Sequence, residues 1–586
     1  MTTPYDLLPY GGWSYGFTYP DVLATVARLR GLVSPCIEGC RVLEIGCAAG
    51  YNLIPMALSL PGSTFVGIDY AARQIEEGRG ILSRLDAPNV TLHHQDLTDW
   101  DGSLGQFDYI IAHGIYSWVA PAVRDALLAI CRDALAPNGV AYISYNTYPG
   151  WHMMEAMRRM MLYHIREIGA PGARAAAAKE LIGFLVKATG AAGYRLSSFP
   201  TAYENLLSQY FHGILNMRDR ADSLFLHDEL EDVNDPCYFH EFLAHTGQHG
   251  LAYLADAEFS TGLSTALPDE VAANLIALSG VEEERGQYLD FVVNRTFRRS
   301  LLCHRGVQLA PAIDLSVLES FWFAAQARGL LAPGSDPEAA SVEFVAGDGA
   351  KLTTDHPVTI VAMTHLKSIW PGRATLKELH ETAYLQLMEN NPHLRAELYA
   401  ALTGGDPERW AEDRRLLADN FLRAYCTSGE LLSLHTRPGA FCTGLSERPQ
   451  ASPWARWEAA QRATVTDLRL RRVALTPRGR YLLPLLDGSR TVADLCRLIE
   501  QDESEASAIW QEVSVQPPQP APPHSREGAG ATPPPQWGRL GGGEQLRQET
   551  LAPPVGSATL ELPVSPLPEQ IADTLAQLAG SGLLVA

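Results

Sequence analysis

No stretch of this 586-residue chain reaches 18 consecutive apolar residues, so no membrane-spanning helix is expected. The opening MTTPYDLLPYGG has neither a charged n-region nor an apolar h-region, and it does not read as a signal peptide. Basic clusters are missing as well. Forty-six Lys and Arg stand against 67 Asp and Glu, leaving a net charge of −21. A chain of that sign repels a phosphate backbone, so no nucleic-acid partner is expected. The nine cysteines are odd in number and scattered, and only Cys36 and Cys40 lie close together. That pattern fits a reduced, cytoplasmic chain and not a disulfide scaffold. His240, His245 and His249 show no evident third ligand, so no metal is expected.

What is present is ample for a buried core. At about 150 residues per domain the length fits three to four domains. Between Arg41 and Asn146, short β-branched or apolar runs (41–46, 64–69, 90–94, 107–112 and 140–145) alternate with helical patterns (52–60, 71–85 and 121–135). This predicts βαβ units and a parallel sheet with helices on both faces, an α/β fold of the Rossmann-like kind. From about 151 to 300 helical patterns dominate and strand-like runs are few, which predicts a mainly helical middle domain. From 309 to 511 the pattern is mixed. Residues 371–390 read as a helix starting near Pro371, and 487–501 read as a turn, a Ser/Thr cap and a helix, compatible with a winged-helix-like module. Residues 517–566 hold 12 of the 39 prolines and a GGG run, too little apolar surface to offset chain entropy, so a disordered insertion is expected. Helical periodicity returns at 568–586.

The loop after the first strand is the most informative segment. In Glu44-Ile45-Gly46-Cys47-Ala48-Ala49-Gly50 a strand runs into small residues and then a helix, and open parallel sheets bind ligands at such strand ends. A plain tight turn is the bland alternative. Asp69 closes the second strand, where a carboxylate can accept from both ribose hydroxyls of an adenosine; capping the next helix is the competing role. Gln95-Asp96-Leu97 follows the third strand, where acid and amide can grip an adenine edge and Leu97 its face; a solvated turn is the alternative. The dinucleotide pattern G-x-G-x-x-G is absent, and Glu44 adds negative charge where a pyrophosphate would be repelled. A cationic ligand bearing an α-amino group suits it better, which favours S-adenosyl-L-methionine over NAD.

Those motifs resemble the cofactor motifs of class I SAM-dependent methyltransferases, with Ala48 standing where many members carry glycine. Tyr116-Ser117-Trp118-Val119, residues 145–151 (YNTYPGW), Tyr238–Phe242 and 287–304 narrow the resemblance. They are similar to bacterial methyltransferases with a methyltransferase regulatory domain, a group that includes rickettsial-type protein lysine methyltransferases of outer-membrane proteins. The resemblance implies a methyltransferase domain with an N-terminal arm at 1–165 and a helical regulatory domain at 166–305. A mixed, winged-helix-like domain at 306–511, the insertion at 512–566 and a helix at 567–586 packed on the third domain would follow. It further implies methyl transfer to lysine of a protein substrate; a small-molecule methyltransferase and a non-catalytic SAM-binding regulator are the alternatives. Oligomeric state is not legible.

The cofactor candidates are then Glu44, Gly46, Cys47, Ala48, Gly50, Asn52, Asp69, Gln95, Asp96, Leu97 and His113. The acceptor-side candidates are Tyr116, Trp118, Tyr145 and Asn146, joined by an aromatic supply from Tyr148, Trp151 and the arm residues Tyr10, Trp13, Tyr15 and Tyr19. Aromatic faces attract a sulfonium or an ammonium by about 0.5–2 kcal/mol each. For any single ring, core or lid packing is the more common role; Asn146 is as readily a structural loop amide, Asn52 a helix cap, and His113 a structural histidine or a base.

Overall fold

The computed structural model describes residues 11–191, 222–265, 267–331, 341–442, 444–501, 510 and 566–585. Tyr10 and the expected disordered insertion, apart from Pro566, lie outside them.

After helix α1 (Pro20–Leu29) the chain alternates strand and helix as the sequence pattern predicts. β1 (Arg41–Ile45), α2 (Leu53–Ser59), β2 (Thr64–Asp69), α3 (Ala72–Leu85), β3 (Val90–His94), β4 (Phe107–Ala112), α4 (Pro121–Ala134) and β5 (Leu135–Asn146) follow one another. These five strands pair in parallel. The helices α5 (Trp151–His164), α6 (Pro171–Ala191), α7 (Asp222–Glu229) and α8 (Phe239–Gln248) come next. Then come β6 (Leu251–Asp256), α9 (Asp269–Leu278), α10 (Glu282–Val293) and β7 (Phe297–His304). The sheet is seven-stranded, in the order β3-β2-β1-β4-β5-β7-β6, and β7 is antiparallel to both neighbours.

The last two strands are the few that the mainly helical middle region holds, and they join it to the sheet. β7 hides in sequence because its Arg298 is fully buried. The guanidinium meets Asp256 of β6 at 3.1 Å and Asp290 of α10 at 2.8 Å, and lies 3.6 Å over the Phe239 ring of α8. A buried ion cluster of this kind is tolerated only when its hydrogen bonds are filled, and removing one member strands the others. It locks the middle region into the sheet, so the two are one structural body.

Strand alternation divides the sheet into two faces. Leu43, Ile45, Ile110, Ala112, Ile143 and Tyr145 pack with Leu127, Leu128 and Cys131 of α4 and Phe242 of α8. Val42, Tyr109, Ile111 and Tyr142 pack with Leu23 and Ala27 of α1 and Leu53 and Met56 of α2. This second core continues into Phe323, Leu366, Leu379 and Phe421.

Those residues lie in a region built of β8 (Trp322–Ala324), β9 (Arg328–Leu331), β10 (Val342–Val345), β11 (Lys351–Thr354), α11 (Pro357–Ser368), β12 (Ala374–Thr375), α12 (Leu376–Asn390), α13 (Arg395–Leu402), α14 (Pro407–Thr427) and β13 (Ser433–His435). α12 starts at Thr375, in a capping box with Glu378, and not near Pro371. The buried Asp21 of α1 accepts from the backbone and hydroxyl of Thr436, both at 2.7 Å, and meets His435 at 2.8 Å.

A separate core joins Ala455 of α15 (Pro453–Ala459), Val465 of β14 (Thr464–Thr466), Leu482 of α16 (Pro477–Leu482), Leu495 of α17 (Val492–Gln501) and Ile571 and Leu575 of α18 (Leu567–Gly580). β14 pairs with β15 (Arg472–Ala474). Thr491 and Asp494 cap α17 reciprocally.

Candidate active site

The C-terminal ends of β1 to β5 lie side by side, which brings the separate sequence motifs to one edge of the sheet. Ile45 is level with Ala112 and Ile68, Asp69 with His94, and Ala112 with Ile143.

The loop after β1 turns through three residues with positive φ: Gly46 at 73°, Ala48 at 48° and Gly50 at 79°. At Gly46 a side chain would be strained and would displace the tip of Ile115. The dihedral is left-handed, and a Cβ would stand 2.2 Å from Cδ1 of Ile115. Ala48 occupies the same region at a cost of about 1–2 kcal/mol. Its N–H donates to Asp69 Oδ2 at 2.8 Å, which holds the turn that glycine would adopt without strain. Buried Cys47 presses on Gly67 of β2, with Sγ 2.6 Å from where a Cβ would sit. Asp69 Oδ1 accepts from the Ala71 N–H at 2.7 Å. Ala71 is the N-cap position of α3, so Asp69 is not that helix's cap; it ties the glycine loop to the approach of the helix.

Glu44 lies in phase with Val42 and is buried. Its Oε1 accepts from Asn52 Nδ2 at 2.7 Å, while its Oε2 has no partner. Burial pushes its pKa up to about 8, against the lowering effect of the Asn52 bond and with help from the Asp69 charge. Asn52 stands at the N-cap of α2 but makes no capping bond. Its Oδ1 accepts from the Tyr15 N–H at 2.8 Å, and its Nδ2 donates to Thr18 Oγ1 at 3.0 Å. One amide therefore joins the acid of β1 to the N-terminal arm. The arm's Trp13 is stacked under Arg472 at 4.1 Å and Arg462 at 4.5 Å. Tyr51 of the glycine loop meets Trp454 and Trp457 at 5.6 and 5.8 Å.

After β3, the Gln95 N–H donates to the Asp69 carbonyl at 2.9 Å. Asp96 accepts from the Thr98 N–H at 2.8 Å, capping a single 3-10 turn, and Leu97 is half-buried. After β4, His113 Nδ1 lies 2.9 Å from the Tyr142 hydroxyl and 3.1 Å from Ser144 Oγ. Its ring is 4.0 Å from Tyr15 and 5.4 Å from Phe17. Burial, then the charges of Arg299 and Arg472, push its pKa down to about 3, so it is a neutral imidazole. Thr18, Tyr142, Ser144 and Ile115 belong to this cluster and were not singled out from sequence. For Tyr142 and Ser144 the signal was there: both alternate in phase with each other on β5.

The other candidates do not all join this group. Tyr116 and Tyr145 face the opposite side of the sheet and pack with Phe242. Tyr145 stacks on Phe242 at 4.0 Å, and its hydroxyl bonds Ser300 at 3.2 Å. The Tyr116 hydroxyl bonds His245 Nδ1 at 2.7 Å. Asn146 is buried; its N–H donates to Ser117 Oγ at 2.9 Å and its Nδ2 to Asn234 Oδ1 at 3.0 Å. Trp118 is half-buried at the end of the turn Tyr116–Trp118. Tyr148 stacks on His152 at 3.9 Å, Trp151 is buried, and the Tyr19 hydroxyl bonds Ser59 at 3.0 Å.

Comparison with known proteins agrees with this layout. Residues 43–141 match a methyltransferase domain, 221–304 a predicted methyltransferase regulatory domain, and 447–518 a PKMT C-terminal winged helix domain. An uncharacterized protein of Rickettsia prowazekii is 39% identical over 318 residues, 54% of this chain and 56% of the relative. The match therefore spans only a little over half of that relative's length. A second R. prowazekii protein is 37% identical over 239 residues, 41% of this chain and 92% of the relative. Among solved structures, PKMT2 from Rickettsia typhi superposes with a TM-score of 0.75 at 25% identity, covering 99% of this chain and 100% of that one. The same protein in complex with AdoHcy gives a TM-score of 0.72 at 24% identity, with the same coverage.

Proposed function

We propose that this chain, which belongs to the class I SAM-dependent methyltransferases that carry a methyltransferase regulatory domain, transfers a methyl group to lysine side chains of a protein. One observation carries the cofactor reading. A buried carboxylate oxygen, Glu44 Oε2, stands without a partner beside a glycine loop at the sheet edge. An α-ammonium group is the donor that this oxygen lacks, and its charge would draw the proton off Glu44. The residues fit the rest of the group as well. Gly46, Cys47, Ala48 and Gly50 form the loop, Asp69 stands at the ribose position, and Gln95, Asp96 and Leu97 stand at the base position. His113 and Asn52 close the side toward the arm. When bound, S-adenosylmethionine supplies an electrophilic methyl on a sulfonium.

A lysine acceptor must arrive as the neutral amine. With a free pKa near 10.4, only about 0.04% is neutral at pH 7. Burial of that amine in an aromatic channel would lower its pKa and raise the reactive fraction. A His113 with a pKa of about 3 is a poor proton acceptor at neutral pH, so its role in this reading is to shape the pocket. Trp118, in the turn after β4, and Asn146, at the end of β5, are the acceptor-side residues. Tyr116 and Tyr145 position them from the face behind. Nine free thiols support a reducing, cytoplasmic setting; among the described residues no helix is long and apolar enough to cross a membrane. The PKMT winged helix match and the likeness to PKMT2 support a protein substrate over a small molecule.

The test is to incubate the purified full chain and methyl-labelled SAM with cell lysate and precipitate with acid. Protease-sensitive label in the pellet, released as methyl-lysine on hydrolysis, is expected. Asp69→Ala should lose it, with SAM affinity weakened about 10–100-fold through the lost charged hydrogen bonds. Label only in soluble products would replace the protein-lysine reading with small-molecule methylation.

A further inference from the structure

Behind Tyr116, on the face of the sheet away from the cofactor candidates, three ligand-type side chains from two helices converge. His245 and His249 stand one helical turn apart at the end of α8, their rings 5.3 Å apart. Asp125, on the first turns of α4, reaches both: its Oδ1 is 2.8 Å from His245 Nε2 and 3.4 Å from His249 Nε2. The three ligand atoms lie within 4.8 Å of one another. The reading that these histidines lack a third ligand is thereby corrected. Asp125 supplies it from 120 residues away, a distance no local pattern can show.

We propose that Asp125, His245 and His249 bind a divalent transition-metal ion of the Zn2+ class. Four ligands held at about 2.0–2.1 Å in a tetrahedron stand about 3.3 Å apart, so the two contacts to Asp125 already bracket the required separation. Two imidazoles and one carboxylate are a borderline-soft set that selects zinc-like ions over magnesium or calcium, and a water completes the tetrahedron.

The surroundings have the supporting shell that metal-bound histidines need. His245 presents Nε2 to the site while its Nδ1 bonds the Tyr116 hydroxyl at 2.7 Å. A metal on Nε2 places the proton on Nδ1, so His245 would donate to Tyr116 and fix that hydroxyl's orientation. The neighbouring cations are directed elsewhere: Arg124 pairs with Asp235 at 2.6 Å and Arg132 with Asp133 at 2.6 Å. The carboxylate of Asp125 is open to solvent, which provides the entry path. Such an ion would clasp α8, from the regulatory region, to α4, from the methyltransferase core.

The experiment uses full-length protein without a polyhistidine tag, stripped with chelator and titrated with Zn2+ by calorimetry and with Co2+ by visible absorption. One equivalent bound with a dissociation constant below about 1 µM is expected. The Co2+ spectrum should carry d–d bands of N/O ligation without a thiolate charge-transfer band. His249→Ala and Asp125→Asn should each weaken binding at least about tenfold, with the circular dichroism spectrum retained. His249→Gln serves if the alanine variant fails to fold. Cys36→Ser, at the exposed thiol, should change nothing. Undiminished binding in a folded His249 variant, a thiolate band, or no binding at 100-fold higher metal would each overturn the assignment.

Discussion

The two faces of the central sheet carry similar residue types to different ends. On the α2 side, polar atoms accumulate at the strand ends: Glu44 with Asn52, and His113 with Tyr142 and Ser144, form two bonded groups that meet at Tyr15, with one oxygen of Glu44 left over. On the α4 side, Tyr145 stacks on Phe242, Tyr116 meets Phe242 edge-on, and the two tyrosine hydroxyls are spent on Ser300 and His245. An unfilled acceptor in a buried setting costs about 1–3 kcal/mol, and that cost is what a ligand can recover. The difference teaches that aromatic content near strand ends does not locate a ligand site. The unmet hydrogen-bonding demand does.

Substitutions on either face should separate stability from binding. The largest effect is expected for Phe242→Ala, which removes a fully buried ring from the dry face. Unfolding free energy should fall by about 3–5 kcal/mol with SAM affinity per folded molecule unchanged, read by denaturant titration beside calorimetry. A parallel loss of affinity would show that the two faces are not independent.

Glu44→Gln should act the other way, leaving the fold intact and weakening SAM about 10–100-fold. The proton count sharpens this. Glu44, with a pKa of about 8, holds a proton at pH 7, so binding a cationic amine should release about one proton, seen as buffer-dependent calorimetric heat. The affinity of the parent chain therefore rises as pH approaches about 8, and the Gln variant loses both the release and the slope. Without ligand, the folded chain keeps a proton that the unfolded chain has already lost. Stability consequently falls as pH rises from 4.5 to about 8.

The smallest effect belongs to Tyr145→Phe. Loss of the hydroxyl bond to Ser300 should cost about 1 kcal/mol of stability and leave SAM binding untouched.

Which features were legible in sequence follows from range. β1 to β4 could be read almost to the residue, and β5 over its second half, because buried parallel strands are β-branched or apolar runs. The placing of the glycine loop, Glu44 and Asp69 at strand ends was legible because it is local to each strand. β7 was not, since Arg298 disguises a central strand as a polar segment, and its neutralising partners Asp256 and Asp290 come from other elements. Asn52 could be seen at its helix start, yet its bonds run 34 and 37 residues back to Thr18 and Tyr15. Asp125, which meets His245 from 120 residues away, lay beyond any window.

The docking of Asp21 onto Thr436 bears on how the chain is made. The two residues are 415 positions apart; Thr436 fills Oδ1 of the buried carboxylate and the adjacent His435 meets Oδ2. At about 5–20 residues per second, a ribosome takes roughly 20–80 s to travel that distance. Throughout that interval the nascent first helix has no place to bury its acid. The Asp21 carboxylate gains these partners only after the distant segment has been made.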